Sequence, residues 1–199
     1  MKQLFLMEWG CEAMVRIFDE DNLRFDFTNC PIVAEPVQFG DSFPGVDFIA
    51  ETEDLQYYIE VKDFQNPKAP EETHKENHKM LIAATKSKKE KTKDKNYDDI
   101  SFEKGANFCL KIGQKIRDSI IYKYGRGEKF AKRVVFIVVI NLESLGQSEL
   151  GNLKNKINGY IPTWLNSEEF VDFKSISFDL VNAEQLNKSY RICCSPVEM

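Results

Sequence analysis

Asp47, Glu60 and Lys62 are the side chains whose types and spacing could do hydrolytic chemistry. Glu60 and Lys62 stand two residues apart in Tyr57-Tyr58-Ile59-Glu60-Val61-Lys62, a run that reads as a strand. Strand side chains alternate, so Glu60 and Lys62 share one face while Ile59, Val61 and Asp63 take the other. Asp47 sits at the mouth of a shorter apolar run, Phe48-Ile49-Ala50, joined to the first by an acidic turn. Bare charges on a sheet buried by its flanking runs are costly, so the pair calls for a role. Phosphodiester hydrolysis with a hard cation supplies one. Asp47 and Glu60 would hold Mg²⁺ or Mn²⁺, and the backbone carbonyl of Val61 would complete the protein's share, leaving positions for water and phosphate. Lys62, beside the ion, would orient or deprotonate the attacking water and stabilise the pentavalent phosphate. The bland alternative is a hairpin edge with an exposed Glu–Lys pair, which would be worth little.

The elements that must position these residues follow from hydrophobic period and chain breakers. Leu4, Met7, Cys11, Met14, Val15 and Phe18 recur at helical spacing and predict a first helix over 4–18, ended by Asp19-Glu20-Asp21-Asn22. Leu23 to Cys30 alternates as a half-buried strand. Pro31 and Pro36 make a poor strand interior after it, and Gly40 to Gly45 is a loop. Beyond the hairpin, residues 65–100 read as an insertion, partly helical and mobile at its basic end, where Lys86–Lys95 holds six lysines against two acids. Ser101 is the expected N-cap of a long helix over 102–124, with Phe108, Ile112, Ile116 and Ile120 as its buried stripe. Arg133 to Ile140 is a continuous apolar run, the mark of a central strand covered on both faces. A surface helix over 146–158, a strand over 173–181 and a short helix capped by Asn182 follow. The reading is one α/β domain over 1–199, a mixed central β-sheet flanked by helices.

Asp47 followed by Glu60-Val61-Lys62 on an apolar strand resembles the PD-(D/E)XK nuclease superfamily, the restriction-endonuclease-like fold of restriction endonucleases, junction resolvases and many repair and defence nucleases. The order α-β-β-β-α-β over about residues 4–141 is similar to its common core, with the C-terminal helix and strand as additions. Glu60-Val61-Lys62-Asp63-Phe64 with the later Gln114-Lys115-Ile116-Arg117-Asp118 is similar to a group of uncharacterised bacterial members. The resemblance implies a Mg²⁺- or Mn²⁺-dependent nuclease, with DNA as the expected substrate. Position by position it implies Asp47 and Glu60 as metal ligands, Lys62 as catalytic, and Gln114 as a catalytic-site residue on the long helix. Glu12 is implied as the acid that some members carry on the first helix; pairing with Arg16 is its other reading. Val46 stands where the superfamily's motif has proline, with Pro44 two residues earlier. The acid-x-lysine triplet recurs at Asp172-Phe173-Lys174, but no long helix and central strand follow it. The alternative function is a silent module that keeps the fold for nucleic-acid binding or assembly.

Other candidates carry weaker signals. Lys115 and Arg117 are candidate nucleic-acid contacts; Arg117 is equally suited to pairing with Asp118. Lys88 and Lys89, in the basic run, could follow a phosphate backbone or simply face solvent. His74 and His78 lie at i, i+4 near Glu71, as a zinc pair would, but in a charged run that reads better as a solvated helix face. Gly125-Arg126-Gly127 follows no strand and precedes no Gly-Lys-Ser/Thr, so a nucleotide loop is not supported.

Bulk properties narrow the class. At 199 residues and 42% hydrophobic the chain can bury one sizeable core. A net charge of −5 argues for a localised substrate groove over a general polyanion coat. Five cysteines without regular spacing make no disulfide framework. The apolar start is too short for a signal peptide, and no stretch approaches the roughly 20 residues of a membrane span. A cytoplasmic setting without membrane partners is expected. Paired cuts across a duplex would want a homodimer, though no dimer seam is legible.

Overall fold

A computed structural model describes residues 17–20, 23–30, 33–36, 45–52, 54–66, 68–86, 99–131, 133–142, 145–161 and 175–197. Its centre is the apolar run read as a buried strand. Strand β6 (Arg133–Asn141) lies between β5 (Leu55–Asp63) and β7 (Ser175–Val181), parallel to both. Every residue from Val134 to Ile140 is buried, as a strand covered on both faces requires. On the far side of β5 come β4 (Phe48–Glu51) and β3 (Val33–Pro36), each antiparallel to its neighbour. The result is a mixed five-stranded sheet in the order β3-β4-β5-β6-β7.

The sheet divides two cores. One face packs against helices α1 (Glu71–Thr85), α2 (Asp99–Gly125) and α3 (Gln147–Asn158). That core joins Tyr58, Phe136, Val138 and Ile140 of the strands to Leu81, Ile112, Ile116, Ile120 and Leu153 of the helices. The other face, with Ile59, Val61, Ile137 and Val139, meets Leu23, Phe25, Leu186 and Ile192. Those belong to the layer formed by a three-stranded antiparallel sheet, β1 (Ile17–Glu20), β2 (Leu23–Asp26) and β8 (Cys193–Pro196), by helix α4 (Ala183–Tyr190) and by the link between α4 and β8, where Ile192 lies. Asn182 caps α4 as expected: its side chain accepts from Gln185 N, and Gln185 Oε1 accepts from Asn182 N. The α/β class and the mixed sheet flanked by helices are therefore present.

Four local expectations change. The helix over 4–18 lies mostly outside the described residues, and its end at Ile17 and Phe18 is strand β1, paired with β2. The strand at Leu23 forms, but in the small sheet; the large sheet begins instead at Val33–Pro36. A proline is poor inside a sheet, yet β3 is the edge strand, the position that tolerates one. Ser101 lies inside α2, which already starts at Asp99. Finally, the segment read as an insertion contributes α1, whose Leu81, Ile82, Ala83 and Ala84 are buried in the main core.

The crossing of α1 and α2 depends on Gly105. A Cβ there would lie 2.7 Å from the Met80 carbonyl oxygen and 2.9 Å from the Ala84 Cβ. In an open helix Gly→Ala gains about 1 kcal/mol of propensity. Here the two backbones would be forced apart, and Gly105→Ala is expected to cost about 1–3 kcal/mol, read as a lower denaturant midpoint. A raised midpoint would mean the helices can separate freely.

Candidate functional site

The hairpin brings Asp47 and Glu60 together. Register runs Phe48↔Ile59 and Ile49↔Tyr58, so Asp47, one residue before β4, falls beside Glu60. Asp47 N donates to Ile59 O at 3.0 Å, and its side chain then turns back to the strand. Asp47 Oδ2 accepts the Val61 N–H at 2.7 Å, a donor that would otherwise lose its partner where β4 begins. The preceding Val46 N–H donates to Ser119 Oγ at 3.1 Å, and that hydroxyl donates to Lys115 O at 2.8 Å. Ser119, fully buried, thus ties the long helix to the mouth of the hairpin.

Alternation on β5 runs as the sequence implies. Tyr58 packs in the helix-side core, Ile59 and Val61 in the opposite one. Glu60 faces the helices and is 1% exposed, while Lys62 beside it is 28% exposed. Lys62 Nζ pairs with Glu60 Oε1 and donates to the Val61 carbonyl at 2.9 Å. Lys115, 26% exposed, reaches down from α2 to the same Oε1 at 2.7 Å. Glu60 Oε2 is buried with no hydrogen-bond partner. Burial, and next the Asp47 carboxylate, push the Glu60 carboxyl above its ordinary range; Lys62 and Lys115 pull the other way. Asp63 faces away and closes the strand, its Oδ1 accepting from Asn141 Nδ2 at 2.8 Å and Gln65 N at 2.9 Å.

The donors fit a hard cation. Two carboxylates and a carbonyl are the oxygen ligands that Mg²⁺ or Mn²⁺ takes, and the ammonium of Lys62 already bridges two of those oxygens, Glu60 Oε1 and Val61 O. The partnerless Oε2 offers a further lone pair. Among the described residues no three His, Cys, Asp or Glu side chains converge as a ready metal cluster. Two carboxylates, a carbonyl and water would have to suffice.

The remaining sequence candidates are distributed unevenly. Lys115, read as a nucleic-acid contact, spends its ammonium on Glu60. Gln114 lies about 200° of helical turn from Ile112 and from Ile116, off the buried stripe, and no hydrogen bond joins it to Glu60 among the described residues. Lys115 lies about 60° from Ile112, on the flank of the buried stripe, and that offset was readable from the helical period. Arg117 Nε pairs with Asp118 Oδ1 at 2.8 Å, the alternative left open for it. Glu12, Lys88 and Lys89 lie outside the described residues, as does Asp172-Phe173-Lys174. His74 Nε2 lies 2.9 Å from the Asn66 carbonyl oxygen and closes the loop before α1.

A second polar group at the other end of β5 had no signal in the sequence. Lys123 Nζ, on α2 and nearly buried, pairs with Glu51 Oε2 at 2.9 Å, and Gln56 Nε2 donates to the same oxygen at 2.6 Å. Lys115, Ser119 and Lys123 follow one another at i, i+4 along α2, so the helix faces the hairpin with a polar stripe beside its isoleucines. No family model, curated protein or solved structure matches the chain. No helix among the described residues is long and apolar enough to cross a membrane.

Proposed function

We propose that Asp47, Glu60 and Lys62 form the centre of a metal-dependent nuclease that hydrolyses phosphodiester bonds, with DNA as its substrate. The observation that carries this reading is Glu60. A carboxylate 1% exposed, with one oxygen partnerless and the other under two ammonium groups, is costly to keep for stability alone. Its neighbours are the Asp47 carboxylate and the Val61 carbonyl, and the motif they make resembles the PD-(D/E)XK superfamily. Asp47, Glu60 and Val61 O would hold the ion. Bound there, Mg²⁺ or Mn²⁺ supplies Lewis acidity to the phosphate and acidifies a coordinated water. Lys62 would orient the attacking water and balance charge on the phosphoryl oxygens as the bond from water to phosphorus forms and the bond to the leaving oxygen breaks, the water's proton passing to solvent. Asp47 has a second duty, since its Oδ2 fixes the Val61 backbone and hence the direction of the carbonyl.

Plasmid and oligonucleotide cleavage with and without EDTA is the test, run beside Asp47→Ala. The variant is expected to lose ion binding and cleavage together, with a rate deficit on the order of 100-fold or more. Unchanged cleavage by a variant that no longer binds the ion would sink the assignment.

A silent module remains the second reading, and one observation favours it. Lys62 and Lys115 already offset the charge of Glu60 through Oε1, and Lys62 also caps the Val61 carbonyl, so the charges are countered without an ion. That reading expects no calorimetric heat with Mn²⁺ and no turnover.

A further inference from the structure

Lys115 has no part in the chemistry above, yet its ammonium sits at the centre of the site. It shares Glu60 Oε1 with Lys62 and leaves Oε2 bare. A pairing made for structure alone would favour one ammonium on each oxygen, satisfying both. Lys62 has a second acceptor in the Val61 carbonyl, whereas Lys115 Nζ meets, among the described residues, Glu60 alone. The backbone at Lys115 is fixed, because its carbonyl accepts from Ser119 Oγ, which also holds Val46. The tip is not: a four-carbon stem, 26% exposed, can swing to solvent while the helix stays in place.

We propose that Lys115 is a tethered competitor for the divalent ion. It occupies Glu60 until the ion takes the carboxylate, and the displaced ammonium then turns to a backbone phosphate of the nucleic acid. Metal loading and nucleic-acid binding are thereby coupled through one side chain. This inference rests on Asp47 and Glu60 being ion ligands. Its physics is like-charge repulsion: a divalent cation on Glu60 repels both ammonium groups there, and Lys115, with no second acceptor among the described residues, is the one released towards the nearest anion. A phosphodiester strand offers one at every step.

Two titrations test it on the full chain, each with wild type, Lys115→Gln, Lys115→Met and Lys115→Arg. Calorimetry follows Mn²⁺ alone. Fluorescence anisotropy follows a labelled DNA duplex with and without Ca²⁺, an ion that accepts looser oxygen geometry than Mg²⁺. The neutral variants are expected to bind Mn²⁺ on the order of tenfold tighter than wild type. They are also expected to lose the gain in duplex affinity that Ca²⁺ gives wild type, while Lys115→Arg keeps both wild-type behaviours. Equal or weaker Mn²⁺ binding by folded neutral variants would make Lys115 a mere support for Glu60 and overturn the proposal. Equal Ca²⁺ gains in wild type and the neutral variants would overturn its phosphate half. Absence of Mn²⁺ binding in every protein, wild type included, would instead overturn the metal reading beneath it.

Discussion

Glu60→Gln is expected to abolish the proposed cleavage and, at the same time, to raise the melting temperature. If Glu60 holds the ion as proposed, the loss of rate should reach at least the order of 100–1,000-fold, the scale of one preorganised electrostatic contact. The gain in stability follows from burial. Glu60 is 1% exposed with one oxygen unpartnered, so its charge is a standing cost, and glutamine keeps the shape without the charge. Lys62 and Lys115, each more than a quarter exposed, can return to water once the carboxylate is gone. A gain of about 1 kcal/mol corresponds to about 2–4 °C for a chain of this size. The effect carries a pH signature. The folded-state pKa of Glu60 lies above its unfolded value, so the folded protein binds the proton more tightly. Wild-type stability therefore falls as pH rises from the ordinary carboxylate range through the folded pKa, then levels off. The advantage of Glu60→Gln should be widest at neutral pH and close as pH drops back through that window. Melting curves across pH, paired with cleavage rates, check both halves; a pH-independent difference would remove Glu60's ionisation as the cause.

Phe136→Ala is expected to be the most damaging core substitution for stability while sparing the chemistry. Phe136 lies mid-strand in β6 at 1% exposure, opposite Tyr58 in register, with ring centroids 4.8 Å apart. Deleting the ring should cost about 3–5 kcal/mol, a fall of roughly 10 °C. The Tyr58 hydroxyl is itself buried and unpartnered, so the cavity has a polar wall. Water entering there would soften the cost towards the lower figure. Glu60 sits two residues further on, opposite Val138, held by backbone pairing that the ring does not touch. At a temperature where the variant is folded, its cleavage rate should stay within about tenfold of wild type, far above that of Glu60→Gln. Denaturant unfolding gives the first quantity; a loss under about 1 kcal/mol would mean the site had collapsed around the deletion.

What could be read in advance depended on how local its cause was. Val134 to Ile140 announces a doubly covered strand because seven apolar side chains in a row have no other cheap arrangement. The hairpin and the Asn182 cap were legible for the same reason, their partners being a few residues away. Where the determining contact is remote, the pattern misled. Leu23–Asp26 looks like any half-buried strand, and nothing nearby says that its partner is Cys193–Pro196 and not the hairpin. Met80 to Ala84 is too short an apolar piece to look like core, yet Leu81 to Ala84 are buried because Gly105 lets α2 approach. At the site, Asp47 and Glu60 could be found from strand alternation, whereas the arrival of Lys115 on Glu60 depends on how α2 lies across β5. The carboxylates were a matter of sequence spacing, the lysine a matter of packing.

The pairing of β2 with β8, Leu23 opposite Pro196, has a consequence in time. A chain emerging from the ribosome can close the β4–β5 hairpin and pair β1 with β2 early, but β2 cannot find its second partner until residues 193–196 have been made. Ile59 and Val61, the residues on either side of Glu60, rest on the layer that this late pairing completes. The carboxylate centre should therefore acquire its final rigidity only after translation has passed that point. A nascent chain stalled before Cys193 would carry all three motif residues, yet without the backing that holds them in place.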